Sequence, residues 1–176
     1  MTAASYDGTG LRATATTQAG TQNFTWDTAG NLLMDSASAY IYTGTGAPAE
    51  QVTLATGAIS YLNTDSLGSV RGIASSAGAL TATTSYDAWG NPATSGGLTA
   101  YSPFGYAGSY TDPTGLLYLI NRYYNPATGQ FLSVDPALAA SQEPYSYAGG
   151  NPVTNTDPTG LLFMGAGPSH PTYALP

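Results

Sequence analysis

Alternation of polar and bulky residues is the main regularity along this chain. Thr21-Gln22-Asn23-Phe24-Thr25-Trp26 carries its large side chains two apart, and Thr81 to Tyr86 repeats the pattern more weakly. A period of two places successive side chains on opposite faces of a strand, so these segments read as half-buried strands. Turn-forming Gly, Pro, Asn and Asp recur about every ten residues between them, the spacing of short strands joined by tight turns. The helical period is almost absent. One short helix is predicted over Pro136–Gln142, with Asp135 as N-cap and Pro136 at the first helical position.

An aromatic-Asp-x-x-Gly unit punctuates the pattern at Tyr6-Asp7-Gly8-Thr9-Gly10, at Trp26-Asp27-Thr28-Ala29-Gly30 and at Tyr86-Asp87-Ala88-Trp89-Gly90. The starts at residues 6, 26 and 86 are separated by one and then three lengths of the same period, with drifted copies between. In each unit the aromatic ends a strand, the Asp caps the turn through its own backbone, and Gly supplies a positive φ. Each unit predicts a hairpin.

Composition changes this picture in three ways. Leu, Ile, Val and Phe number only 28 of 176 residues, under the roughly one fifth found in packed globules. Charge is low too, however, and 14 Tyr with 2 Trp supply large half-buried faces, so the chain reads as a tyrosine-rich sheet rather than a disordered polymer. One domain is expected, without two independent cores. There is no lysine; Arg12, Arg71 and Arg122 stand against ten acidic residues, which disfavours a nucleic-acid partner. No cysteine is present, removing disulfides, thiolate nucleophiles and cysteine zinc sites. No run of 18 apolar residues predicts a membrane span.

Few catalytic vocabularies remain. His170 stands alone in a Gly/Pro-rich tail and reads as a solvated residue, and no serine triad, phosphate loop or dinucleotide fingerprint is found. Scattered Asp-x-x-Gly turns lack the clustered oxygens of a calcium loop, so neither metal nor cofactor is predicted. The sequon Asn23-Phe24-Thr25 reads as chance. Two Asp-Pro sites, Asp135 and Asp157, are the remaining candidates. Two carboxylates brought together cannot both ionise cheaply, so one stays protonated to polarise a carbonyl while the other activates water. The same Asp-Pro-x-Gly sequence is also a good turn with no chemistry attached. The chain holds its own control, because Asp112-Pro-Thr-Gly-Leu-Leu117 repeats Asp157-Pro-Thr-Gly-Leu-Leu162 residue for residue.

The repeat resembles the YD repeats of RHS proteins, and the second half resembles the RHS repeat-associated core. The matching motifs, in the family's order, are Tyr61-Leu-Asn-Thr-Asp65-Ser-Leu-Gly68-Ser-Val-Arg71, Tyr86-Asp-Ala-Trp-Gly-Asn91 and Gly115-Leu-Leu-Tyr118. They continue with Arg122-Tyr-Tyr-Asn-Pro-Ala-Thr-Gly-Gln-Phe-Leu-Ser-Val-Asp135-Pro and Tyr147-Ala-Gly-Gly-Asn-Pro-Val-Thr-Asn-Thr-Asp157-Pro-Thr-Gly-Leu161. The resemblance implies an all-β fold: YD-repeat hairpins in a curved antiparallel sheet that spirals into a shell, with the C-terminal core turned inward as a plug. It divides the chain into hairpins over 1–60, the core over 61–161 and a variable tail over 162–176, with further repeats upstream. It further implies a bacterial protein, secreted or at the cell surface, whose own C-terminal segment is the cargo.

In this family the chain is cut after the leucine of the Asp-Pro-x-Gly-Leu motif. The resemblance therefore implies a single-turnover aspartic autoprotease acting in cis, with Asp135 and Asp157 as the carboxylate pair and the cut between Leu161 and Leu162. The family places Asp112 in a hairpin before the Arg-Tyr-Tyr strand, so no cut is expected there. Two departures stand out: Asn125 where the family has Asp, and Gln130 where it has Arg. Gln130 is a weaker carboxylate-orienting group than an arginine, which leaves Arg122 as the nearest cation. Arg122 is read either as a bridge to one carboxylate or as a structural pair beside Tyr123 and Tyr124. The alternative for the whole chain is a non-catalytic YD-repeat module, structural or binding a cell surface or carbohydrate through its tyrosines.

Overall fold

The computed structural model describes residues 3–44, 46–93 and 97–165; His170 and all of the predicted tail beyond residue 165 lie outside the described residues. Nine strands form one antiparallel meander: Ala3–Tyr6 (β1), Arg12–Thr17 (β2), Gly20–Trp26 (β3), Leu32–Asp35 (β4), Ser38–Ile41 (β5), Glu50–Thr53 (β6), Ile59–Thr64 (β7), Val70–Ser75 (β8) and Leu80–Thr83 (β9). Each pairs with its neighbours in sequence, and the strip runs without a break across residue 60. A second sheet contains Tyr110–Thr111 (β10), Leu117–Leu119 (β11), Arg122–Asn125 (β12) and Gln130–Phe131 (β13), and a small ribbon pairs Asn155–Thr156 (β14) with Met164–Gly165 (β15). No described helix is long and apolar enough to cross a membrane.

The predicted hairpin turns form by the predicted chemistry. Asp7 Oδ1 accepts the amides of Thr9 and Leu11, Asp27 Oδ1 those of Ala29 and Asn31, and Asp87 Oδ1 those of Trp89 and Asn91. Gly10, Gly30 and Gly90 follow with φ of 86°, 84° and 94°, a region that side chains other than glycine enter at a cost of about 1 kcal/mol or more. Hydrogen bonding to the ionised form holds all three carboxyls below the ordinary Asp value.

Period-two alternation in the second sheet builds the interior. Tyr110 and Tyr118 point to the strip and join Phe24, Leu32, Tyr40, Leu62, Val70, Ile73 and Phe104 in one cluster. Leu117, Leu119, Tyr124 and Phe131 point the other way and join Tyr106, Tyr147 and Ala148 in a second. The sheet is thus a middle layer with an apolar cluster on each face. The two clusters share this sheet and are not independent cores. Edge and stacked aromatic pairs, such as Tyr40 with Phe104 (4.9 Å) and Tyr124 with Tyr147 (4.2 Å), hold both layers. Such pairs add about 0.5–1.5 kcal/mol each beyond area burial.

The α-helix found among the described residues is shorter than expected and spans Leu138–Ser141 (α1), with Ala137 at the N-cap and no side-chain cap. Asp135 precedes it and accepts the Ala137 amide (2.8 Å) and, through its carbonyl, the Leu138 amide. Its second carboxylate oxygen is drawn instead towards Arg122. That leaves a tight turn where a longer helix was predicted.

Candidate functional site

Asp135 and Asp157 meet at Arg122. The Arg122 Nη2 atom lies 3.3 Å from Asp157 Oδ2 and 3.7 Å from Asp135 Oδ2, so the two carboxylates share one guanidinium nitrogen. All three side chains are buried. Alternation on β12 explains how: Arg122 and Tyr124 share the face turned away from the strip, and Arg122 lies over the Phe131 ring (3.6 Å) that β13 supplies to that face. Its Nε donates to the Gly160 carbonyl, while Nη1 has no hydrogen-bond partner. Arg122 thus lies within ion-pair distance of both carboxylates while standing on β12 beside Tyr123 and Tyr124.

The loop that follows Asp157 folds back onto that carboxylate. Asp157 Oδ1 accepts the amides of Leu161 (3.1 Å) and Leu162 (3.2 Å), the second being the nitrogen of the Leu161–Leu162 peptide. Burial pushes the Asp157 carboxyl above the ordinary aspartate value, against the lowering pull of Arg122 and of the Leu161, Gly160 and Leu162 amides. Burial likewise lowers the Arg122 pKa, with Asp135 and Asp157 opposing it.

A strained turn grips the same loop. Ile120, between β11 and β12, adopts φ 58°, which a β-branched residue rarely does. Its Cδ1 packs against Gly30 of the strip, 3.0 Å from where a Cβ on that glycine would stand. Next to it, the Asn121 backbone amide (3.2 Å) and side-chain amide (3.0 Å) both donate to the Thr159 carbonyl. Gly160 sits so close to this turn that a Cβ would meet the Leu119 carbonyl at 2.7 Å. Strip, second sheet and loop are thereby in mechanical contact.

Gln130 is not part of the site. It lies exposed on β13, one residue from the inward-facing Phe131, and lines a shallow groove with Trp89, Gln142 and Glu143. The Arg-to-Gln departure therefore falls on the opposite face of the strand from the carboxylates. Asn125 Oδ1 accepts the Ala127 amide and caps the β12–β13 turn.

The first copy of the hexapeptide behaves differently. Asp112 closes the β10–β11 hairpin, as expected, through its amide to the Leu116 carbonyl (2.8 Å). Both of its carboxylate oxygens lie 2.9 Å from Arg12 Nη1. Arg12 is fully buried in a cage of Phe24, Tyr110 and Tyr118, with the Tyr123 hydroxyl at 3.0 Å. Burial works against its charge, yet Asp112 and Tyr123 leave its pKa above the usual arginine value. Nothing in the sequence marked Arg12, since its partner is 100 residues away. A further carboxylate, Asp35, is also buried and receives the hydroxyls of Tyr40 (2.8 Å) and Tyr110 (3.3 Å), tying the strip to β10 without a cation.

Known proteins share this architecture. The chain is 41% identical over 101 residues to the tRNA nuclease WapA of Bacillus subtilis (strain 168), covering 53% of this chain and 4% of that protein. It is 38% identical over 109 residues to the double-stranded DNA deaminase toxin A of Burkholderia cenocepacia (strain H111), covering 58% of this chain and 8% of the other. Among solved structures, TcdB2-TccC3 without its hypervariable C-terminal region superposes with a TM-score of 0.69 at 25% identity, over 89% of this chain and 9% of that one. The chain thus spans less than a tenth of the length of each of these relatives. The sequence model of the teneurin YD-shell matches residues 36–148, from the middle of the strip through the second sheet to the segment ahead of Asp157. With its tandem hairpins, its inward-packed second sheet and that match over more than half its length, the chain belongs to the teneurin YD-shell family of RHS/YD-repeat proteins.

Proposed function

We propose that this chain is the closing core of an RHS shell and that it cuts itself in cis between Leu161 and Leu162, using Asp135 and Asp157. On this reading residues 1–60 are shell hairpins, 61–161 the core, and 162–176 the start of a segment released into the shell as cargo. The observation that carries the reading is the double role of Asp157: one oxygen shares Arg122 with Asp135, and the other touches the nitrogen of the Leu161–Leu162 bond.

The chemistry is hydrolysis of one peptide bond. Water adds to the Leu161 carbonyl carbon and gives a proton to the Asp135 carboxylate. Asp157, whose burial favours the protonated form, passes its proton to the Leu162 nitrogen as the C–N bond breaks. One water is consumed, leaving a Leu161 carboxyl group and a Leu162 amine. Arg122 holds the Asp135 carboxylate and the Asp157 carboxyl side by side and offsets the negative charge the pair carries. Toxin relatives with long further sequence support a shell around a C-terminal cargo in a secreted or surface-borne bacterial protein.

A second reading is favoured by Arg12–Asp112, where the same hexapeptide serves as a buried strut. In that reading Arg122 and its two aspartates are a strut as well, and the chain is a structural or surface-binding module. Intact mass of the purified chain decides between them. Loss of residues 162–176 at neutral pH, abolished by Asp157→Asn and by Asp135→Asn, supports cleavage; a chain that stays whole refutes it. Acid breakage of the Asp157–Pro158 bond would leave a different mass.

A further inference from the structure

We infer that Phe163 is a positioning residue for the proposed cut: seated on Gly149, its ring holds the chain beyond the cut two residues out of step, so that the Leu161–Leu162 peptide lies outside the ladder and beside Asp157. The consequence for cutting rests on the cleavage reading, whereas the hold on the register stands on its own geometry.

The chain carries its own reference for the register. Tyr106-Ala107-Gly108 precedes Asp112-Pro-Thr-Gly-Leu-Leu117, as Tyr147-Ala148-Gly149 precedes Asp157-Pro-Thr-Gly-Leu-Leu162. In the first copy Thr111 pairs with Leu117, six residues on, and the Asp112 amide closes the hairpin on the Leu116 carbonyl at 2.8 Å. In the second copy Thr156 pairs with Met164, eight residues on, and Asn155 pairs with Gly165. Leu161, Leu162 and Phe163 therefore lie in the loop between β14 and β15. The bond that closes the first hairpin is not made at Asp157, whose carboxylate accepts the Leu161 and Leu162 amides. The peptide proposed as the cut is thus looped out, whereas its first-copy counterpart, Leu116–Leu117, runs into β11.

Neither the hexapeptide nor the ladder chooses between these registers. The hexapeptide is the same in both copies, and a slip of two residues keeps every side chain on its face, because the strand period is two. An anchor outside the ladder is needed, and the first residue beyond the hexapeptide supplies it. A Cβ on Gly149 would stand 3.0, 3.1 and 3.3 Å from Cε1, Cζ and Cδ1 of Phe163, three neighbouring ring carbons, so the ring rests on bare glycine backbone. That seat is fixed. Gly149 (φ 60°) follows Tyr147 and Ala148 of the second apolar cluster, and the Asn155 side-chain amide of β14 donates to the Ala148 carbonyl at 3.1 Å. In the first copy the corresponding seat is taken. A Cβ on Gly108 would meet the backbone nitrogen of Ala47, between β5 and β6 of the strip, at 2.7 Å, and Tyr118, the counterpart of Phe163, pairs with Tyr110 in the ladder.

The test compares Phe163→Ala, which removes the ring, with Phe163→Tyr, which keeps it, in the full 176-residue chain. The first measurement follows the first-order loss of intact mass. Cutting at least about ten-fold slower is expected for Phe163→Ala, since small misplacements of a reacting bond are costly, and the wild-type rate for Phe163→Tyr. The second reads the register in an Asp135→Asn background that keeps the chain whole, from nuclear Overhauser contacts between backbone protons of paired residues. Thr156 should contact Met164 when the ring is present, and Phe163→Ala should move that contact to Leu162, the register of the first copy. A Thr156–Met164 contact that survives Phe163→Ala overturns the inference whether or not the wild type cuts. A wild-type rate for Phe163→Ala overturns it while leaving the aspartate pair intact, whereas a wild-type rate for Asp157→Asn overturns the aspartate reading instead. If the wild type stays whole, the cleavage reading falls, and the register measurement alone decides whether Phe163 sets the ladder. Phe163 is 52% exposed, so Phe163→Ala should stay folded in circular dichroism melts. An unfolded Phe163→Ala is answered by Phe163→Leu, which also removes the ring and should move the same contact.

Discussion

Asp112 and Asp157 occupy the same position in identical hexapeptides, yet Asp112 gives both carboxylate oxygens to Arg12, while Asp157 gives one to Arg122 and the other to backbone amides of its own loop. The first arrangement is complete as a strut. The second leaves an acid at a peptide nitrogen. Several measurements exploit that difference.

Asp112→Ala should destabilise the chain by about 3–5 kcal/mol, because it strands a buried guanidinium. Arg12→Met combined with Asp112→Leu should recover most of the loss, since apolar replacements remove both desolvation costs. Urea unfolding of the three chains checks this, and mass spectrometry should find no cut at Leu116–Leu117 in any of them. A cut there would show that the hexapeptide alone directs hydrolysis.

The paired glycines should respond unequally to alanine. Gly115 (φ 82°) has open space around it, so Gly115→Ala should cost only the left-handed backbone penalty of about 1–2 kcal/mol. Gly160 (φ 69°) faces the Leu119 carbonyl at 2.7 Å and the Arg122 amide at 3.1 Å, so Gly160→Ala must also displace backbone. It is expected to be the more destabilising of the two and to abolish cutting. Equal melting temperatures would contradict the packing described here.

The cutting rate should fall as pH rises through the Asp157 pKa, which burial sets above the ordinary carboxylate range. Stability linkage has the same sign. A carboxyl whose pKa is raised on folding contributes stability that is fully present below its unfolded value near 3.8 and is lost as pH rises through the folded value. Asp157→Asn, which abolishes cutting, should flatten that part of the stability profile. Stopped-time mass spectrometry and chemical unfolding across pH read the two.

Arg122→Met should slow cutting and lower stability at neutral pH by about 3–5 kcal/mol, since it leaves a buried carboxylate without its cation. The stability deficit should shrink on acidification, when Asp157 takes up a proton and needs no cation. A deficit that did not change with pH would mean that Arg122 acts through packing on Phe131 alone.

Much of the fold was legible because its causes are local. At Tyr6-Asp7-Gly8-Thr9-Gly10 and Trp26-Asp27-Thr28-Ala29-Gly30, every hydrogen bond of the carboxylate is made within four residues, so the motif and the turn are one physical object. Strand β3 followed directly from alternation, with Phe24 inward. Helix α1 came out short, starting after Ala137 and ending at Gln142 in the left-handed region. The placement of Gln130 was not legible, since its strand face depends on a register that the motif does not state. Arg12 was invisible, because nothing near it in sequence announces a cage closed by Tyr110, Tyr118 and Asp112.

What the sequence determined by itself was the set of short-range rules: strands of period two, glycine turns capped by aspartate, a scarcity of charge, and two Asp-Pro motifs of one spelling. What only the tertiary structure decided was which arginine each aspartate meets and which amides its carboxylate takes. Those contacts join residues far apart along the chain, and their geometry is fixed by which face of the middle sheet each side chain leaves. Two identical hexapeptides on different sides of that sheet are, for that reason, different chemical groups.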